Sequence, residues 1–323
     1  MTFWRRELIG VAVALLCAMA AGSGLMLVWG ASPAQVWGIM LARSWGDLYG
    51  VGQVLFRATP LIFTGLSVAL AFHAGLFNIG AEGQLFVGSF VTAIVGVHLN
   101  PEWPALVVVP TCLVAGALAA ACLGAFAGVL RVRFGAHEVL TTILLNFIVQ
   151  GLILWLGRFA FVEQTLHTRE VVPLARLGSL GLAGSSASLA FGLALIAALA
   201  VAGLLWRTRA GFELRVIGHN AAAAQAGGIF VGRRQVWVLA VAGGLAGLTG
   251  AGTVLGYKGY YEYGVGSGAG FMGIAVALLA RNHPLAVVAS ALVFATLLQG
   301  GLAANALVPK EIADVLLAIV ILV

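Results

Sequence analysis

Polar residues are scarce in this chain, so those set among apolar neighbours carry the information. Gly75-Leu-Phe-Asn-Ile-Gly-Ala-Glu-Gly-Gln84 places Asn78, Glu82 and Gln84 among three glycines, between two apolar runs. A charged group at membrane depth is unfavourable and points to function by default. The glycines permit a broken or re-entrant backbone, which is tolerated where it lines a cavity or lies buried in protein. Asn78 is placed to cap a half-helix whose N-terminus would point N–H groups at a polar solute. The plain alternative is an ordinary turn between two spans.

A second set is Glu138, Thr142, Asn146 and Gln150, spaced by four residues along one face of an apolar helix. The stripe drifts by about 40° per step and covers about 18 Å of helix. Such a stripe lines a solute path, or it hydrogen-bonds neighbouring helices. Glu138 also complements the positive end of its own helix.

The segment 207–234 is 28 residues long and holds five arginines. Inside it, Asn220 is a good N-cap before the helix-forming run Ala221–Ala226. A short surface helix there would dock a cytoplasmic partner; a solvated basic loop that only sets topology is the alternative. Further on, Tyr257-Lys-Gly-Tyr-Tyr-Glu-Tyr263 is followed by glycines at 264, 266, 268 and 270. Its aromatics suit the interfacial belt, with contact to solute or partner as the alternative.

No phosphate-binding Gly-x4-Gly-Lys-Ser/Thr loop, metal-ligand spacing or nucleophile elbow is present. The six histidines are scattered singly, and Cys17, Cys112 and Cys122 lie in apolar stretches as small lipid- or core-facing residues. No catalytic residue, metal or cofactor is therefore expected on this chain. If ATP drives it, ATP and magnesium belong to a partner.

The elements that must position these residues follow from composition. The chain has 323 residues, 62% hydrophobic and 9% charged, against about 25% charged in soluble domains. Mean hydropathy is +1.07. Such a chain cannot clothe a soluble surface, which excludes a soluble enzyme, a nucleic-acid binder and a disordered protein. The net charge of +6 then reflects basic cytoplasmic loops. Glycine, 44 residues, allows helices to approach closely, with small-xxx-small spacing at Gly124/Gly128 and along Gly243–Gly256.

Apolar runs predict an all-α membrane protein with ten spans near 8–28, 57–73, 83–98, 105–130, 138–160, 187–206, 235–256, 269–280, 285–303 and 311–323. The start resembles a signal peptide, but its apolar run continues to about Trp29 and reads as a retained helix. With the N-terminus inside, ten basic residues (Arg5, Arg6, Arg131, Arg133, Arg207, Arg209, Arg215, Arg233, Arg234, Arg281) fall on the cytoplasmic side. Arg43, Arg57, Arg158, Arg169, Arg176, Lys258 and Lys310 fall outside. Both termini are then cytoplasmic, and Asn100–Pro104 is an outer turn. Spans two to five and seven to ten suggest an inverted repeat, with a faint echo between Gly75–Gly80 and Gly270–Ala275. The whole of 1–323 reads as one membrane domain.

Phe77-Asn-Ile-Gly-Ala-Glu-Gly-Gln84, Ala136-His-Glu-Val139, the Asn146 region and Gly273-Ile-Ala-Val-Ala-Leu-Leu-Ala-Arg-Asn-His-Pro284 resemble the permeases of ABC importers. The likeness is to the nucleoside and simple-sugar branch and runs from about Thr59 to Ile319. It implies that Phe77, Asn78, Glu82, Gln84, Thr142, Asn146 and Gln150 border the substrate pathway. Segment 207–234 resembles the family's coupling segment at Arg215, Gly218, Asn220, Ala223, Ala224, Gly228 and Ile229. It departs at Ala221, Gln225 and Ala226. The resemblance further implies two permeases over two ATPase subunits in a bacterial-type inner membrane, an extracytoplasmic solute-binding protein, and a nucleoside, purine type first, or a sugar as solute. An ion-coupled secondary transporter and a passive channel are the readings from other classes.

Overall fold

The computed structural model describes residues 16–17, 19–309, 315 and 318–319. The predicted last span is almost wholly outside these residues, as is the first part of the first span. Arg5, Arg6 and Lys310 also lie outside them. Among the described residues the chain is helical, with isolated β-bridges only.

Two short helices lead in, α1 (Met19–Val28) and α2 (Pro33–Trp45). The bundle follows: α3 (Leu48–Phe72), α4 (Ala81–His98), α5 (Ala105–Phe134), α6 (Glu138–Ala160) and α7 (Ala190–Arg207). Then come two short helices at one end, α8 (Arg209–His219) and α9 (Ala221–Ala226). The chain returns through α10 (Val231–Gly247), a π-helical continuation at Ala251–Lys258, α11 (Ala269–Leu279) and α12 (Pro284–Ala303). Among the described residues, six helices are long and apolar enough to cross a membrane: α3, α5, α6, α7, α12 and the continuous Val231–Lys258. By contrast, α11 has 11 residues, about 16 Å, half of a hydrocarbon core of about 30 Å.

Helices α3 and α10 form the middle. Over their most apolar stretches, α3 is 78% buried and the continuous Val231–Lys258 helix 72%, against 22% for α5. Helix α5 meets α10 along a seam of small residues. Its buried face is Val108, Cys112, Gly116, Ala120, Gly124 and Gly128, one residue in four. A Cβ on Gly124 would overlap the Leu239 carbonyl, and one on Gly243 the Ala120 carbonyl. Backbones meet there, as the small-xxx-small spacing predicts. Cys112 is buried on the same face of α5, against Gly96 of α4, while Cys17 and Cys122 are exposed.

One predicted boundary moves. The second span begins at Leu48, with Asp47 accepting from the Gly50 N–H at 2.6 Å as its N-cap. Arg57 is therefore inside α3, where its Nε donates to Gln299 Oε1 at 2.9 Å; it is not an outer-loop charge. Helix α2 was not foreseen, because it is short and only partly apolar. It lies on α12, with Met40 against Gly300 and Trp45 Nε1 donating to Thr296 Oγ1 at 3.1 Å. The suggested echo does not relate equivalent positions: Gly75–Gly80 precedes α4, whereas Gly270–Ala275 lies within α11.

Candidate functional site

Glu82 stands in the first turn of α4 and is 2% exposed. Its Oε1 accepts from the Gly268 N–H at 2.6 Å and its Oε2 from the Gly270 N–H at 2.8 Å. Gly268 is the N-cap residue of α11. One carboxylate thus sits at two helix N-termini, where free N–H groups and the helix dipoles favour negative charge. The alternate glycines serve this contact. Gly264, Gly266 and Gly268 have φ of +90°, +83° and +86°, which brings the backbone round to the carboxylate. A Cβ on Gly270 would overlap the Glu82 backbone. From the other side, Thr64 Oγ1 donates to the Ala269 carbonyl at 2.9 Å and holds α11 to α3.

Asn78 and Gln84 form a closed amide pair beside it. Asn78 Nδ2 donates to Gln84 Oε1 at 2.8 Å and to Ser67 Oγ at 3.0 Å, and Gln84 Nε2 returns to Asn78 Oδ1 at 3.1 Å. The N-cap of α4 is Gly80, so Asn78 does not cap that helix. Phe77 stands apart, 44% exposed, with its ring edge-on to Phe72 at 4.5 Å.

The four-residue stripe of α6 divides. Glu138 pairs with Arg131, and Thr142 Oγ1 donates to the Glu138 carbonyl at 2.7 Å. Asn146 accepts from the Gly83 N–H at 2.8 Å and donates to the Ile79 carbonyl at 3.0 Å. These three are buried and bond within the protein, which places Asn146 as a fastener of the segment leading into α4. Gln150 differs: it is half-buried, and its Oε1 accepts from the Tyr263 hydroxyl at 3.4 Å.

Tyr261 and Tyr263 fold inward, so the aromatic segment is not a simple interfacial belt. Tyr263 lies parallel to Phe86 with ring centroids 6.4 Å apart, and Tyr261, 2% exposed, packs on Phe90 and Phe161. Below this cluster, Ser89 Oγ lies 3.2 Å from Thr253 Oγ1 and 3.5 Å from Thr249 Oγ1. Sequence reading missed these hydroxyls. The available signal was the four-residue spacing of Thr249 and Thr253.

At the opposite end, 207–234 is mostly helix. Asn220 Oδ1 accepts from the Ala223 N–H at 3.0 Å, the cap expected for α9. Ala223 is exposed, but Ala224 is 1% exposed and faces its own chain; it is not available to a partner. Gly228 ends the turn at φ +83°. Arg215 is half-buried on α8. Gly218 abuts the segment that runs into Asn78 and Glu82, since a Cβ there would overlap the His73 carbonyl.

Glu213, unforeseen, is the segment's single acid. It pairs with Arg209 at 2.8 Å and with Arg234, joining α8 to α10. The Arg234 guanidinium, with Arg209 beside it, holds its carboxyl below the usual range. Two of the five arginines thus have a structural role beyond setting topology. The signal was the four-residue spacing from Arg209.

The family model described as the branched-chain amino acid transport system / permease component matches residues 50–323. The guanosine ABC transporter permease NupP of Bacillus subtilis is 36% identical, over 96% of this chain and 90% of its own. The nucleoside ABC transporter permease NupB of Lactococcus lactis is 32% identical, over 98% of this chain and 90% of its own. The glucose ABC transporter permease TsgB13 of Haloferax volcanii is 32% identical, over 95% of this chain and 84% of its own. No solved structure matches the chain.

Asn146→Leu leaves the Gly83 N–H without its partner, a loss of about 1–3 kcal/mol for a buried donor. Its abundance in the membrane should fall together with transport, as read by fluorescence-detected size exclusion. Gln150→Leu should lower transport with abundance retained, because among the described residues its side chain has one bond, which is long and half-buried.

The Glu213 pair should make stability depend on pH. Its folded-state pKa lies below the ordinary value of 4.5, so its contribution is complete above that value and is lost as pH falls through the folded-state pKa. Thermal unfolding in detergent should show this acid-side loss. Glu213→Gln should remove that component and lower stability at pH 7 by up to about 1 kcal/mol, since solvent screens the exposed Arg209 partner.

Proposed function

Because the chain belongs to the family of branched-chain amino acid transport system permease components, we propose that it is the translocation subunit of an ABC importer for nucleosides, purine nucleosides first. The near-full-length likeness to the guanosine and nucleoside permeases carries this reading. The chemistry of the interior agrees with it. The Glu82 charge is taken up by α11, which leaves amides, hydroxyls and aromatic rings for a neutral polar solute. Gln150 and Tyr263, both half-buried, offer donors and acceptors to ribose and base edges, and the Tyr263 ring offers a face on which a base stacks. A sugar is the second reading, favoured by the glucose permease relative. Ion-coupled transport needs an acid open to its ion, and both Glu82 oxygens are engaged.

In this proposal 1–323 is one membrane domain with ten spans and both termini cytoplasmic. The inverted repeat draws its support from α4 and α11, which both begin inside the bundle and meet at their N-termini. The segment 207–234 is the coupling element, with Arg215, Gly218, Asn220, Ala223 and Gly228 at or near the contact. ATP and magnesium act on a separate pair of ATPase subunits. A second permease completes the pore, and an extracytoplasmic binding protein delivers the solute.

Radiolabelled uptake into cells expressing the whole importer tests this. Guanosine should accumulate and glucose should not; the reverse would make the sugar reading correct. Ala223→Glu should cut uptake at least about tenfold, the equivalent of ~1.4 kcal/mol, at normal abundance. Normal uptake in that variant would remove α9 from coupling.

A further inference from the structure

Helix α5 has 30 residues and the continuous Val231–Lys258 helix has 28. At about 1.5 Å per residue, both outrun a hydrocarbon core of about 30 Å. The last turn of α5 carries Arg131 and Arg133 and the first turn of α10 carries Arg233 and Arg234, so it is these adjoining ends that suit the headgroup layer. Between them runs a groove of about 510 Å³ whose walls include Val129, Val236, Trp237 and Ala240, with Arg133 and Arg233 as its charged residues. Gly232 closes against the Val132 side chain beneath it.

The arginines at this end are not equivalent. Arg131 has Glu138, and Arg209 and Arg234 have Glu213. Arg133 and Arg233 are exposed, and among the described residues neither has a carboxylate within salt-bridge reach. Two uncompensated guanidinium groups thus share an apolar trough at phosphate depth. Guanidinium presents a planar fork of donors that matches phosphate oxygens in pairs. An indole at the same level suits the membrane–water boundary.

We propose that this groove binds an anionic phospholipid. Its phosphate sits between Arg133 and Arg233, and its acyl chains lie along Val129, Val236 and Ala240. The site is separate from the solute pathway, and the proposal does not depend on which solute is carried.

The full chain would be reconstituted in nanodiscs of equal phosphatidylcholine and phosphatidylglycerol, extracted, and its retained lipids counted by native mass spectrometry. Phosphatidylglycerol should be retained over phosphatidylcholine. Arg133→Gln and Arg233→Gln should each lower its retention about fivefold, the equivalent of ~1 kcal/mol per arginine. Because both side chains are exposed, each variant should stay monodisperse. Arg207→Gln, an exposed arginine outside the groove, should leave retention unchanged. Equal retention of the two lipids, an equal loss in Arg207→Gln, or displacement of the lipid by millimolar inorganic phosphate would overturn the proposal.

Discussion

The structure turns on one carboxylate. Glu82 begins α4 and at the same time satisfies the first amides of α11, so two helices that start inside the bundle are joined end to end. A buried charge is tolerable only when hydrogen bonds and opposite charge surround it, and here two helix N-termini supply both. The glycines at 264, 266, 268 and 270 follow from that demand. So do the ties around it: Thr64 on the far side of α11, Asn146 on Gly83, and the Asn78–Gln84 pair across the segment before α4.

Physical continuity runs from this junction to the surface. Gly218 on α8 touches the backbone at His73, a few residues before Asn78 and Glu82. Helix α8 is itself clamped to α10 by Glu213 and carries the capped helix α9. A displacement of α9 by a partner would thus reach the α4–α11 junction through packed backbone and ion pairs rather than through a flexible loop. Contiguous contacts of this kind are what energetic coupling between distant sites requires when it is carried mechanically.

Much of this was legible in the residues. Glu138 marks the start of α6 because a charge ends the polar turn before a long apolar run. Asn220 marks α9 because a capping side chain precedes an alanine run. Gly124 and Gly128 mark the seam with α10 because only small residues at four-residue spacing let backbones meet. What stayed hidden depends on neighbours. Periodicity placed Asn146 on a polar face but could not say that the face would meet the Gly83 and Ile79 backbone. It treated Ala223 and Ala224 alike, although one faces out and the other in. Helices α2 and α8 escaped because short amphipathic stretches look like loops in a chain judged by long apolar runs.

The central claim is that Glu82 holds the start of α11. Hydrogen–deuterium exchange over 264–272 in the full chain, compared between wild type and Glu82→Gln, tests it directly. The account predicts strong protection of the Gly268 and Gly270 amides in the wild type. That protection should be lost in the variant, while α3 and α10 remain protected. Unchanged protection of those two amides in the variant would contradict it.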